Sequence, residues 1–283
     1  MVLGALIDPL VAERRPYLMI LMGFIFGTVG LFFGYWVFQS YASLVMVFLT
    51  VLMCVPLMYK TLTHEEEVDL EGEDERHIMW EHAKALNFLL FLFVGITLAF
   101  TLWYLILPSS MTGSLFSVQV ETYTKINSQV TGNVINDLGV FSHIFFNNLK
   151  VLIFCLLFSI TFGLGAIFIL VWNASVISVA LGNFIRTKMS AFTEAAGMSK
   201  IGAYLSVTSW GMLRYGIHGI FEIGAYFIVG LAGGIIAVAI AKHDFGTRKM
   251  EKILLDCSEL IIGAIVILVF AALVETFITP YLF

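Results

Sequence analysis

Charge is what this chain has least of. Only 12% of its 283 residues are Asp, Glu, Lys or Arg, against 60% hydrophobic, and there are five prolines. A soluble domain of this size carries about a quarter of its residues charged, so the composition excludes a soluble globule and implies a polytopic membrane protein. Cysteine is nearly absent too: Cys54, Cys155 and Cys257 fall in or beside apolar runs with no CxxC or paired spacing. That excludes a disulfide framework and leaves them as small buried hydrophobes. Strand-length alternation is missing, which argues against an outer-membrane barrel. No cleavable signal is evident, because Arg14 and Arg15 lead into an apolar run longer than a signal core, with no small-residue cleavage site after it.

What is present are runs that match the hydrocarbon thickness. A helical crossing takes roughly 20 apolar residues, and such runs occupy residues 17–38, 41–59, 85–107, 151–172, 217–241 and 260–281. A seventh crossing is expected to be irregular. After Trp172 come Asn173, a short apolar piece 176–185, a polar link with Arg186, Lys188 and Glu194, and a second short piece 201–213. Half-length pieces are tolerated at membrane depth where they are buried in protein or line a cavity, so a broken or re-entrant segment with its break at Asn173 is predicted. The fold class is thus all-α and polytopic, with about seven transmembrane helices.

Basic residues set the orientation. Arg14 and Arg15 precede the first span, Lys60, Arg76 and Lys84 follow the second, and Lys242, Arg248, Lys249 and Lys252 separate the last two. The positive-inside rule places all three groups, and the N-terminus, in the cytoplasm, which demands an odd number of crossings. The side of residues 186–200 stays open.

Nine acids against three bases give residues 60–84 a net charge of −6, leaving +1 for the rest of the chain. A run containing Glu65, Glu66, Glu67, Asp74 and Glu75 repels itself, so a flexible solvated loop is the plain expectation; a docking strip for a basic cytoplasmic partner is the sharper one. His64, His77 and His82 flank the run, but without a metal-ligand spacing pattern no metal is expected. On the other side, 108–147 is long enough to be structured. Phe116, Val120, Tyr123, Ile126 and Val130 are spaced for an amphipathic helix, either a lid over the spans or a surface for an extracytoplasmic partner.

Ionisable groups inside spans are the default place to look for function. Arg214, His218, Glu222 and Tyr226 recur every four residues and therefore share one helix face. Gly216, Gly219, Gly224, Gly230, Gly233 and Gly234 on the same helix would let neighbours approach closely and bury that ridge. Glu275 in the last, oppositely directed span falls at a matching depth, so His218, Glu222 and Glu275 are expected to meet and titrate as a unit.

The stretch His218-Gly219-Ile220-Phe221-Glu222 and its Gly-rich continuation, the tail Ala272-Leu273-Val274-Glu275-Thr276-Phe277-Ile278-Thr279-Pro280, and the elements Phe146-Asn147-Asn148-Leu149-Lys150, Phe162-Gly163-Leu164-Gly165 and Trp172-Asn173-Ala174 together resemble the stage II sporulation protein M family, in an archaeal-type form. The resemblance covers about residues 85–283; Ile217 stands where the family often has proline. With the apolar runs and the acidic stretch it divides the chain into a two-helix hairpin 1–59, an acidic cytoplasmic loop 60–84 and a family-like membrane domain 85–283. It implies a membrane scaffold, since in endospore formers the family is described as recruiting cell-wall hydrolases during engulfment.

The expected function is accordingly an integral scaffold of the cell membrane that recruits envelope or membrane proteins, with the His/Glu cluster locking helix register. A proton-coupled transporter or channel using the carboxylate pair is the alternative. An intramembrane metallohydrolase is a minor one, because His218 and His143 fall short of the several histidines that catalytic zinc commonly uses. Neither catalytic residues nor a cofactor are expected. The partners are the bilayer, proteins and a second copy of the chain, and no nucleic acid.

Overall fold

The computed structural model describes residues 12, 14–71, 75–132, 137–162, 165–192, 197–242 and 246–282. Among these there is no strand. Seven helices are long and apolar enough to cross a membrane. In chain order α1 is Leu18–Val37, α2 Ala42–Glu71 and α3 Glu75–Ile106; short α4, Ser109–Leu115, and α5, Ser117–Gly132, follow. Then come α6, Asp137–Phe162, α7, Gly165–Met189, α8, Gly197–Lys242, and α9, Arg248–Leu273, which continues through a wide turn, Val274–Ile278, into a last turn, Thr279–Leu282.

Side-chain pairings fix the directions. Trp103 Nε1 donates to Thr28 Oγ1 at 3.0 Å and Ser178 Oγ to Thr97 O at 2.9 Å, with α1, α3 and α7 side by side and parallel. Lys242 Nζ meets Glu66 Oε2 at 2.8 Å where α8 runs parallel to α2. These pairings require seven alternating crossings. Residues 186–192 and 197–200 therefore share a face with Leu282, and 60–71 and 75–84 share the opposite, acidic face with Lys242.

Inside a bilayer, lipid tails are as apolar as the helices, so packing must come from close contact and hydrogen bonds. The α1–α3 contact shows this. A Cβ on Gly23 would sit 2.2 Å from Leu92 O, and one on Gly95 would sit 2.1 Å from Ile20 O. The two backbones touch because neither position has a side chain. On the C-terminal face, α4 and α5 close over the bundle. Phe116 is fully buried against Phe100 and Tyr104, while Gln119 exchanges hydrogen bonds with Ser43, accepting from its Oγ at 2.8 Å and donating to its carbonyl at 3.1 Å. Val120 and Tyr123 pack on the same core, which is the arrangement of a lid; the side chains of Ile126 and Val130 lie outside the described residues.

Two expectations change. The irregular crossing is an ordinary one: 176–185 is the second half of α7, and 201–213 belongs to α8. Asn173 breaks nothing. It lies mid-helix, where its Nδ2 donates to Ile169 O one turn back at 2.8 Å and so leaves the helical ladder intact. The apolar run 151–172 contains the boundary instead, between Phe162 and Gly165. The other change concerns residues 60–84. On both sides of the undescribed 72–74 they are helix, the ends of α2 and α3 carried past the apolar runs.

Candidate functional site

Two polar centres lie at opposite ends of the bundle. The first is built by α6, α8 and α9. Pro280 cannot donate a backbone hydrogen bond and its ring crowds the carbonyl four residues earlier, and the helix widens into the Val274–Ile278 π turn just before it. Thr276 Oγ1 donates to Ala272 O at 2.7 Å and Thr279 Oγ1 to Val274 O at 3.2 Å, satisfying carbonyls along the widened turn. Glu275 leaves this turn toward α8, where His218 Nε2 lies 3.9 Å from its Oε1 and His218 Nδ1 lies 3.4 Å from Thr279 Oγ1. Glu222 adjoins Glu275 and accepts from Asn148 Nδ2 on α6 at 2.5 Å. Tyr226 is buried one turn further along, beside Glu222.

The structure thus brings His218, Glu222, Glu275 and Tyr226 into one neighbourhood. Arg214 is turned the other way, its guanidinium 5.9 Å from the Phe184 ring centroid. Sequence reading missed the contributions of Asn148 and Thr279, both uncharged; the signal available was a pair of asparagines at the mouth of an apolar run. The glycines act differently from the expectation. A Cβ on Gly216, Gly219 or Gly224 would meet nothing within 4 Å, whereas Gly233 and Gly234 press against Ser159 and Leu62. The first three leave open space beside the centre, and the close helix approach occurs two turns deeper, where α8 is enclosed on all sides.

Two carboxyl groups in contact repel unless a proton lies between them, and Asn148 then supplies a neutral donor to the pair. Glu222→Gln keeps that geometry with the same shape and one fewer ionisable oxygen. It is expected to melt within about 1 kcal/mol of the parent, while Asn148→Leu, which strips a partially buried carboxyl of its donor, is expected to cost about 1–3 kcal/mol. Thermal unfolding in detergent checks both.

The second centre sits on the acidic face. Glu65 and Asp69, four residues apart on α2, face His82 of α3; His82 Nδ1 is 2.6 Å from Glu65 Oε2 and its Nε2 2.9 Å from Asp69 Oδ1. All three are buried, as is Glu66, which Lys242 meets. Glu65 and Glu66 therefore cannot serve as the docking strip predicted for them, because α2 continues as a helix and turns them inward. Glu67 is 58% exposed and 3.9 Å from Lys242 Nζ. Asp74, and the side chain of Glu75, lie outside the described residues. Both ring nitrogens of His82 are engaged by carboxylates, and among the described residues no group of three or more His, Cys, Asp or Glu is arranged to hold a metal ion.

The family profile described as stage II sporulation protein M matches residues 24–280, a stretch that includes both centres. The chain belongs to the stage II sporulation protein M family. The match extends the resemblance seen in sequence from residue 85 back into α1. An uncharacterized protein of Methanocaldococcus jannaschii is 29% identical over 185 residues, covering 62% of this chain and 94% of that protein. An uncharacterized protein of Borreliella burgdorferi is 25% identical over 103 residues, 34% of this chain and 44% of its own length. No solved structure is significantly similar to this stage II sporulation protein M family member.

Proposed function

We propose that this protein is a non-enzymatic scaffold of the cell membrane that offers helical docking surfaces on both faces of the bilayer. The observation that carries the reading is the length of α8. Its 46 residues span about 69 Å at 1.5 Å per residue, more than twice the roughly 30 Å hydrocarbon thickness. α8 starts well ahead of its first buried side chain among the described residues, Val207, and Ile201, Tyr204 and Leu205 on that leading stretch are exposed. The ends of α2 and α3 project from the acidic face, exposing Glu67, Met79 and Trp80. An exposed apolar stretch on a projecting helix is the usual mark of a protein contact. The partners are envelope or membrane proteins, or a second copy of the chain.

A photo-reactive phenylalanine analogue at Leu205 or at Met79 tests this in native membranes. A scaffold gives a discrete protein adduct at one of the two sites, unchanged by Glu222→Gln. Lipid adducts alone at both sites would sink the proposal.

The contact between Glu222 and Glu275, beside the open space at Gly216 and Gly219, favours a second reading, a proton-coupled transporter. It predicts proton flux into liposomes that Glu222→Gln or Glu275→Gln abolishes. A scaffold shows no flux in either form.

A further inference from the structure

The crossing made by α6 is longer than the apolar run that marks it. Because α6 ends at Phe162 and α7 begins at Gly165, residues ahead of Val151 have to enter the bilayer to complete a span of roughly 20 residues. Neighbouring helices fix the depth. Gly233 of α8 presses on Ser159, and Gly234 on Leu62, three residues past the apolar run of α2, so Ser159 marks the hydrocarbon boundary on the acidic face. Lys150 stands nine residues before Ser159, about 14 Å at 1.5 Å per residue and nearly half of the roughly 30 Å hydrocarbon thickness. That is well beyond the reach of a lysine side chain, so its ammonium does not arrive at the headgroups of either face.

The direction of Lys150 is equally well defined. Ile144, Leu152, Cys155 and Ser159 form the buried stripe of α6, and Asn148 on the same face reaches Glu222. Lys150 follows Asn148 by two residues, more than half a turn round the helix, and points away from the bundle. It is exposed, as are Asn147 one turn before it and Phe154 and Leu157 beyond it. Of the seven crossing helices, α6 has the smallest buried share. Among the described residues Lys150 has neither an ion-pair nor a hydrogen-bond partner. A charged side chain within a span almost always faces protein or water, and this one faces out from a flank that is otherwise mostly apolar.

We infer that this outer flank of α6 is an interface within the bilayer for a membrane-spanning helix of another protein that carries an Asp or Glu near its middle. Charge complementarity selects the occupant. A carboxylate at that depth neutralises Lys150 and accepts a hydrogen bond from the Asn147 amide, and the apolar side chains above and below pack against the rest of the incoming helix. Acyl chains offer no counter-charge. A second copy of this chain offers none either, because among the described residues the carboxyl groups inside the crossing segments are Glu222 and Glu275, and these are engaged with one another. The surface goes beyond the projecting helix ends of the scaffold reading, since it holds its partner inside the membrane.

The test uses the full chain in liposomes with a fluorescent, leucine-rich transmembrane peptide carrying one central Asp, compared with the same peptide carrying Asn or Leu there. Energy transfer from a donor on the protein should reach half its maximum at an Asp-peptide density about tenfold below that needed for the Leu peptide. Lys150→Arg should keep this preference and Lys150→Leu should abolish it. Without peptide, Lys150→Leu should melt no lower than the parent, which shows that the variant is folded and that the charge supports nothing inside the chain. Equal association of the three peptides, or an Asp preference that survives Lys150→Leu, overturns the inference. An Asn peptide that binds as well as the Asp peptide also overturns it, in favour of a hydrogen-bonding site without charge selection. Self-association of the protein alone that depends on Lys150 overturns it in favour of a second copy. None of these outcomes touches docking at Leu205 or Met79, since neither residue lies on α6.

Discussion

Gly95→Val leaves little folded protein in the membrane. A Cβ at residue 95 would come 2.1 Å from Ile20 O and 2.9 Å from Ile20 Cα, and these are backbone atoms that cannot rotate away. α1 must withdraw, and Gly23, which faces Leu92 and Ile96 across the same contact, loses its close approach with it. Overpacking of a side-chain core costs typically about 1–3 kcal/mol, and more where the backbone has to move. No gain in apolar burial offsets this in lipid, and the Trp103–Thr28 hydrogen bond is pulled apart as well. Gly216→Ala is the matched control. It meets no neighbouring atom within 4 Å and gains up to about 1 kcal/mol of helix propensity, so its yield and melting temperature should equal or exceed the parent's. Size-exclusion profiles of fluorescent fusions read both, and a Gly95→Val variant that elutes and melts like the parent would refute the close-contact account.

The second large effect is at His82. Its imidazole separates two fully buried carboxylates at 2.6 and 2.9 Å, and removing one partner from a buried ionic group typically costs about 3–5 kcal/mol, because uncompensated charge stays behind. His82→Ala should therefore splay the ends of α2 and α3 and open residues 60–84 to protease. Lys242→Ala should do less, since the Lys242 side chain is 39% exposed and water can replace part of what it provides. The mechanism has its own check. Converting Glu65→Gln and Asp69→Asn in the His82→Ala background removes the repulsion and should restore most of the lost stability. If the triple variant is as weak as the single one, lost packing rather than charge is responsible.

Hydropathy reveals most of the fold because lipid enforces it. Every crossing has to be an apolar helix; run lengths mark five of the long helices, a sixth run straddles α6 and α7, and an odd count is demanded by the placement of Lys and Arg. The end of α6 at Phe162 and the start of α7 at Gly165 were hidden for the same reason, since the apolar run continues across them without a polar marker, whereas polar Asn173 looks like a boundary and is none. The acidic hairpin was misread by composition. A sum of charges ignores which face each acid occupies, and a spacing of four puts Glu65 and Asp69 together on α2 opposite a single histidine. At the other end, matching depths in two antiparallel helices indicated that His218, Glu222 and Glu275 would adjoin. The direction of Arg214 was not legible, because it depends on Phe184 in a helix whose limits were misjudged.

The outlying portion of α8 has a thermodynamic character unlike the rest of the molecule. Its glycines at 197 and 202 each weaken a helix by up to about 1 kcal/mol relative to alanine, and among the described side chains of residues 199–206 none is buried. Isolated helical turns of this kind fray in water. Anything that docked on the tip would add stability there, so occupancy would be read out as stiffening along α8, the longest of the crossing helices.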